Sequence, residues 1–182
     1  MRSRHRPYNG RVRPKISVQG LLALVTLVGI AADQITKALA VADLEGKAPR
    51  HILGDGLTLD VYRNSGAAFS FAPMATLLFS AIAVGVAVVI TRQASTLRSS
   101  AWAVALGLIL AGAVGNLVDR LLRTPGGGRG AVVDFIDIRY FATFNAADSC
   151  ITAGTILAVL LSWRGIVMSD QTTCAEKETL TG

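Results

Sequence analysis

The chain has 182 residues, of which 52% are hydrophobic and only 16% charged, and its formal net charge is +6. With a mean hydropathy of +0.50, this composition argues against a soluble domain with a polar shell and against disordered or collagen-like chains. Only two cysteines and two histidines are present, which leaves no disulfide scaffold and no His-rich zinc site. Cys150 lies in an apolar stretch and Cys174 in a polar tail, so both read as free thiols. His5 sits in a basic tail, which argues against a Ser-His-Asp triad. Any chemistry therefore falls to carboxylates, amides, Lys or Arg.

In chain order, residues 1–15 form a basic tail with Arg2, Arg4, Arg6, Arg11, Arg13 and Lys15 and no acid. Four charge-free stretches follow: Ile16 to Ala32, Asn64 to Thr91, Ser99 to Val118 and Ser149 to Trp163. An unpaired charge at mid-bilayer costs about 2.5 to 3.5 kcal/mol on insertion scales, so such stretches mark transmembrane helices. Pro73 is placed to open the second helix, and the fourth can lengthen past Arg164 if that side chain reaches back to the interface. The basic tail and the link carrying Arg92 and Arg98 belong on the cytoplasmic side. The connections 33–63, with four bases and five acids, and 119–148, with four of each, belong outside, and the C-terminus returns inside. Anchoring of this kind explains the positive tail without nucleic acid. A cleavable secretory signal ending near Ala38-Leu39-Ala40 is the alternative reading of the first segment; cleavage would remove Asp33 and Lys37.

Between the first two spans, Leu57, Leu59 and Val61 alternate with Thr58, Asp60 and Tyr62 after a Gly54-Asp55-Gly56 turn, so His51 to Arg63 reads as a strand in a small outer sheet. An extended peptide substrate could add to its edge around Leu57 to Arg63. Thr124 to Gly130, with Pro125 and three successive glycines, reads as a flexible loop.

Polar residues gather at the outer ends of the spans, and ionisable groups at membrane depth are functional candidates. Asp33 and Lys37, four residues apart, read as a structural ion pair on one helix face. Asn116, Asp119 and Arg120 fit a hydrogen-bonded clasp in which the Arg120 fork orients carboxylates. Asp134 and Asp148 each sit in an apolar setting. If the fold joins them, two like charges cannot both ionise cheaply, so one carboxyl keeps its proton while the other takes a proton from water attacking an amide carbon. The protonated partner donates to the carbonyl oxygen and helps the amine leave. On spacing alone, cation binding or proton relay in a carboxylate-lined transporter is an equal reading. Asp137 would share a face with Asp134 only in a helix and reads as an exposed partner for Arg139. Cys150 has no His to activate it and reads as packing. Ser65, Ser70 and Ser149 have no evident base, with a Ser-Lys pairing to Lys37 left open. The spaced aspartates of a metal-dependent lipid phosphotransferase are not found.

Five strings in this order, Asp33-Gln34-Ile35-Thr36-Lys37, Asn64-Ser65-Gly66-Ala67-Ala68-Phe69-Ser70, Gly115-Asn116-Leu117-Val118-Asp119-Arg120, Val132-Val133-Asp134-Phe135-Ile136-Asp137 and Phe144-Asn145-Ala146-Ala147-Asp148, resemble the lipoprotein signal peptidases, the signal peptidase II family. The resemblance covers roughly residues 16 to 165. It implies an all-α membrane protein of four transmembrane helices with a small extracytoplasmic β-cradle and a periplasmic helix. It further implies an aspartyl endopeptidase of the bacterial inner membrane that removes signal peptides from prolipoproteins, cutting before a diacylglyceryl-modified cysteine and inhibited by globomycin. By motif position, Asp134 and Asp148 match the catalytic dyad. Asn64, Asn116, Arg120 and Asn145 match residues lining the substrate pocket, and Asp33, Lys37 and Asp119 match supporting positions. No metal or cofactor is implied; the partners are the diacylglyceryl-prolipoprotein and membrane lipid, and the chain is expected to act as a monomer. One peptidase domain spans 16–168, between a basic cytoplasmic tail at 1–15 and a polar cytoplasmic tail at 169–182. The loop from Thr124 to Gly130 departs from the family's usual run.

Overall fold

The computed structural model describes residues 16–54, 56–65 and 72–169. The basic tail with His5, the polar tail from residue 170 with Cys174, Asp55, and residues 66–71, which include 66–70 of the second string with Ser70, lie outside them. The elements run α1 (Val18–Leu44), β1 (Arg50–His51), β2 (Leu57–Asn64), α2 (Ala72–Gln93), α3 (Ser100–Leu122), β3 (Val132–Ile138), β4 (Ala142–Phe144) and α4 (Ala146–Trp163). All four helices are long and apolar enough to cross a bilayer. Among the described residues no fifth helix is present, so the periplasmic helix implied by the family has no counterpart there.

The helix starts follow from local chemistry. Ser17 Oγ accepts the Gly20 N–H at 3.0 Å and Ser99 Oγ accepts the Trp102 N–H, each satisfying an orphan donor of the first turn. Pro73 falls in the first turn of α2, where its missing N–H costs nothing. Two boundaries differ from expectation. Helix α1 continues three turns past Asp33, because Asp33 and Lys37 are neutralised inside the bundle and need not end the helix. Asn64 ends strand β2 instead of opening a span.

Helix α3 is the hub. Half of its span is buried, against about a fifth for each of the others, and α1, α2 and α4 all pack on it. Its buried face is built of Ala103, Ala105, Gly107, Ala111, Gly112, Ala113 and Gly115. Small residues let helix backbones approach closely where no hydrophobic driving force separates protein from lipid. The closeness is measurable: a Cβ placed on Gly29 of α1 would lie 2.6 Å from the Ala111 Cβ. Helices α2 and α4 flank α3 and barely touch one another.

The four strands form one antiparallel sheet, in the order β1-β2-β3-β4, at the end of the bundle where α1 and α3 finish and α4 begins. Three departures from the sequence reading stand out. The 119–148 connection contributes two strands, β3 and β4, where only a connection was read. The expected strand is split by a turn into β1 and β2. Its alternation is also not a clean inside-outside pattern, because Thr58 is the buried residue while Leu57, Leu59 and Val61 are only partly covered. A β-bulge explains part of this: pairing passes from Leu59↔Ile136 to Tyr62↔Asp134, so β2 carries one extra residue, and Asp60 Oδ1 accepts the Val61 N–H. Leu59 pairs on both sides, with Arg50 and Ile136, so that part of β2 is not a free edge and proline there would break the sheet itself. Strand β4 is the edge on the α4 side.

Candidate functional site

Asp134 is the third residue of β3, a strand whose first residue, Val132, pairs with Asn64 of β2, and Asp148 is the third residue of α4. Asn145 joins them. It is the N-cap of α4: its Oδ1 accepts the Asp148 N–H at 3.1 Å while Asp148 Oδ2 accepts the Asn145 N–H at 3.1 Å, a reciprocal capping box that holds the Asp148 side chain in place. The Asn145 Nδ2 donates across to Asp134 Oδ1 at 2.6 Å and to Asn116 Oδ1 at 3.2 Å. The other oxygen of Asp134 accepts from Asn64 Nδ2 at 3.0 Å, and the other oxygen of Asp148 accepts from Asn116 Nδ2 at 2.8 Å. Two carboxylates from different elements are thus held side by side by three asparagines, one from β2, one from α3 and one from the turn before α4. Asn145 is fully buried, so it positions the carboxylates. Burial pushes the Asp134 carboxyl above its ordinary value, with the Asp148 charge adding to the rise and the amide donors of Asn64 and Asn145 opposing it.

Beneath this lies a second cluster. Lys37 Nζ contacts Asp33 Oδ2 at 2.8 Å and Asp119 Oδ2 at 2.9 Å and donates to Asn116 Oδ1 at 2.9 Å, and all three charged side chains are wholly buried. Arg123, one turn after Asp119, closes the set with Nε at 2.7 Å from Asp119 Oδ1. Two acids and two bases balance, which is the condition for keeping ions inside a membrane bundle. The cluster reaches the Asp134 and Asp148 segments through the backbone: Asp33 Oδ1 accepts the Ala147 N–H at 2.9 Å, and Asp119 Oδ2 accepts the Val133 N–H at 3.2 Å. Each supporting acid therefore holds the residue immediately before one member of the pair. Gly115 is needed here, since a Cβ on it would sit 2.7 Å from Asp33 Oδ2.

Arg120 behaves differently from expectation. Its planar fork does not orient the supporting carboxylates; that is done by Lys37 and Arg123. The Arg120 guanidinium lies over the Phe79 ring at 5.7 Å, donates from Nη1 to the Asn116 carbonyl at 3.3 Å, and leaves a buried Nε without a partner. It faces a cavity of about 310 Å3 lined by Phe79, Ile82, Ala113, Asn116, Arg120 and Asp148. Asp137 points to the opposite face of β3 from Asp134, is half-buried where an exposed residue was expected, and accepts from Thr143 Oγ1 at 3.4 Å, and the Arg139 guanidinium lies over the Tyr140 ring. Cys150 is a free, half-buried thiol beside Gly29. Ser149 Oγ is held by the Asn145 carbonyl, and Lys37 is occupied by acids and an amide, which leaves no Ser-Lys pair among the described residues.

Several residues went unread. Arg123 carried a signal, four residues after Asp119. Thr76 and Ser80 also did, as hydroxyls one turn apart in an apolar span. Thr76 Oγ1 bonds the Ser65 carbonyl, and Ser80 Oγ donates to the Gly128 carbonyl at 2.7 Å. The Gly128 and Gly130 N–H groups in turn cap the Arg120 carbonyl at 3.0 and 2.9 Å. The Thr124–Gly130 loop is therefore tied to α2 and α3 along its glycine run, with Gly126, Gly127 and Gly128 at positive φ.

Residues 25–164 match the model of the family described as signal peptidase (SPase) II. The chain belongs to the signal peptidase II family. It is 51% identical over 156 residues to the lipoprotein signal peptidase of Streptomyces coelicolor, covering 86% of this chain and 76% of that one. Against that of Mycobacterium avium it is 47% identical over 150 residues, covering 82% of each. Two solved bacterial membrane enzymes share the fold at 28% identity, with TM-scores of 0.68 and 0.69 over 82% and 81% of this chain and 92% and 96% of theirs. Family membership makes the protein a membrane-spanning signal peptidase II, an aspartic peptidase, and the four-helix bundle with a small sheet agrees with it.

Proposed function

We propose that this signal peptidase II removes the signal peptide of diacylglyceryl-modified prolipoproteins, cutting just before the lipidated cysteine, with Asp134 and Asp148 as the catalytic pair. The observation that carries the reading is the bridge of Asn145 between the two carboxylates at the sheet end of the spans. Asp148 stands in the first turn of α4, held by the Asn145 N–H and by Asn116 Nδ2. Asp134, buried and with its carboxyl pushed upward, keeps the shared proton. Asp148 takes a proton from water as the oxygen attacks the scissile carbon, and Asp134 donates its proton to the carbonyl oxygen, giving a gem-diol. On collapse the proton held by Asp148 passes to the departing nitrogen, and Asp134 recovers a proton from the diol. Asn64 and Asn116 hold the carboxylates, and the unpartnered Arg120 Nε is available to a substrate carbonyl. Asp33, Lys37 and Asp119 act as supports.

Arg92, Arg98 and Arg164 lie at the opposite end of the bundle from the sheet, which supports cytoplasmic termini and a site near the extracytoplasmic face. The domain at residues 16–168 holds every proposed site residue between dispensable tails and acts as a monomer. The test follows cleavage of a diacylglyceryl-prolipoprotein by mass in detergent with excess chelator. Wild type and Asp137→Asn cleave before the lipidated cysteine, and Asp134→Asn and Asp148→Asn do not. Full activity in either dyad variant, or activity abolished by chelator, refutes the reading.

A further inference from the structure

Two apolar grooves descend from Asp148 on opposite flanks of α4. One, the 310 Å3 cavity, lies between α2 and α4 with α3 as its floor and Asn116 and Arg120 at its top. The other, about 400 Å3, lies between α4 and the β3–β4 hairpin and is lined by Phe141, Phe144, Asp148, Thr152, Ala153 and Ile156. Its α4 residues form one stripe running from the carboxylate toward the middle of the span, eight residues or about 12 Å. Thr152, Ala153 and Ile156 are exposed, so the groove is continuous with the hydrocarbon, while the exposed Phe141 and the half-buried Phe144 wall it from the sheet.

A substrate cut beside a lipidated cysteine is branched: an apolar signal helix precedes the scissile bond and acyl chains hang from the residue after it. Such a substrate needs two apolar channels that diverge at the reacting carbonyl. The cavity between α2 and α4 lies where those helices scarcely contact each other, so a helix lying against them from the lipid can seat side chains in it, and its polar top suits backbone carbonyls. The hairpin groove has Asp148 and Ser149 at its head and Thr152 one turn below, and from there Ala153 and Ile156 face Phe141 and Phe144 with no further polar side chain in its lining. We propose that the groove between α4 and the β3–β4 hairpin holds an acyl chain of the diacylglyceryl cysteine, leaving the α2–α4 cavity to the signal helix. The proposal rests on the peptidase reading above.

The experiment compares prolipoprotein peptides carrying dipalmitoyl-glyceryl and dibutyryl-glyceryl cysteine, cleaved by the full chain in detergent. Ala153→Trp and, further along the groove, Ile156→Trp place bulk on lipid-facing positions without touching the bundle core. Each lowers kcat/KM for the dipalmitoyl substrate about tenfold, the effect of losing about two buried methylene groups, and leaves the dibutyryl substrate unchanged. Ile82→Trp, in the other cavity, lowers both substrates alike. A loss independent of chain length in both hairpin-groove variants, no loss in either, or a chain-length-dependent loss in Ile82→Trp overturns the assignment. Wild type that leaves both substrates uncut overturns the peptidase reading itself, a result distinct from altered chain-length dependence among active variants.

Discussion

Replacing Lys37 by methionine tests whether the buried ion cluster holds the site. Methionine fills the space of the lysine stem, one atom shorter, and removes its charge, leaving Asp33 and Asp119 without the ammonium that lies 2.8 and 2.9 Å from them. Asp119 keeps Arg123 and the Val133 N–H; Asp33 keeps the Ala147 N–H and Gln34, so it bears most of the uncompensated charge. Both acids are wholly buried, and breaking such a pair from one side costs about 3 to 5 kcal/mol. Because Ala147 and Val133 adjoin Asp148 and Asp134, cleavage falls along with stability. The double variant Asp33→Asn/Lys37→Met removes the stranded charge while keeping an acceptor for Ala147, and recovers more than about 1 kcal/mol of the loss. Equilibrium unfolding in mixed micelles with rising SDS, followed by circular dichroism, measures both. A Lys37→Met protein within about 1 kcal/mol of wild type, or a double variant less stable than the single one, refutes the reasoning.

Further outcomes follow from other contacts. Asn64→Leu removes an amide donor that stabilises ionised Asp134, so burial and the Asp148 charge raise its carboxyl further, and the alkaline limb of kcat/KM, which reports loss of the dyad's last proton, moves to higher pH; a pH–rate profile with that limb unmoved or lowered contradicts it. Ser80→Ala strands the Gly128 carbonyl and destabilises by about 1 to 2 kcal/mol, read in the same unfolding assay, with a fall in kcat because the loop capping Arg120 loosens. Deleting residues 170–182 leaves Tm unchanged, whereas deletion from Ile166 onward lowers it. The longer deletion loses the Trp102 Nε1 bond to the Ile166 carbonyl at 2.8 Å and the Arg98 N–H bond to Met168 at 3.1 Å, each contributing about 1 kcal/mol.

The cluster around Lys37 illustrates how far reading along the chain extends. The Asp33–Lys37 pair is legible because four residues bring two side chains together on any helix. The Asp119–Arg123 pair has the same spacing on α3, but that the two pairs meet at Lys37 depends on how α1 crosses α3, which glycine and alanine contacts set and no local spacing encodes. The same holds for Arg120, whose adjacency to Asp119 suggests a shared clasp, although consecutive helical residues point about 100° apart and Arg120 turns to Phe79 instead. Strands β3 and β4 were missed for a different reason. Val132 to Ile136 is apolar on both faces around one acid, so the period-2 alternation that revealed β2 is absent.

By itself the sequence determined the membrane class, the four spans and the family, and singled out carboxylates and asparagines that meet at the sheet end, because hydrocarbon excludes charge and the five strings occur in order. Only the tertiary structure decided which of those polar groups touch: that Asn145 bridges Asp134 and Asp148, that each supporting acid grips the residue before a dyad member, and that two grooves part at Asp148. The physical reason is that these are contacts between elements up to 114 residues apart, fixed by helix packing and sheet register and not by any local rule.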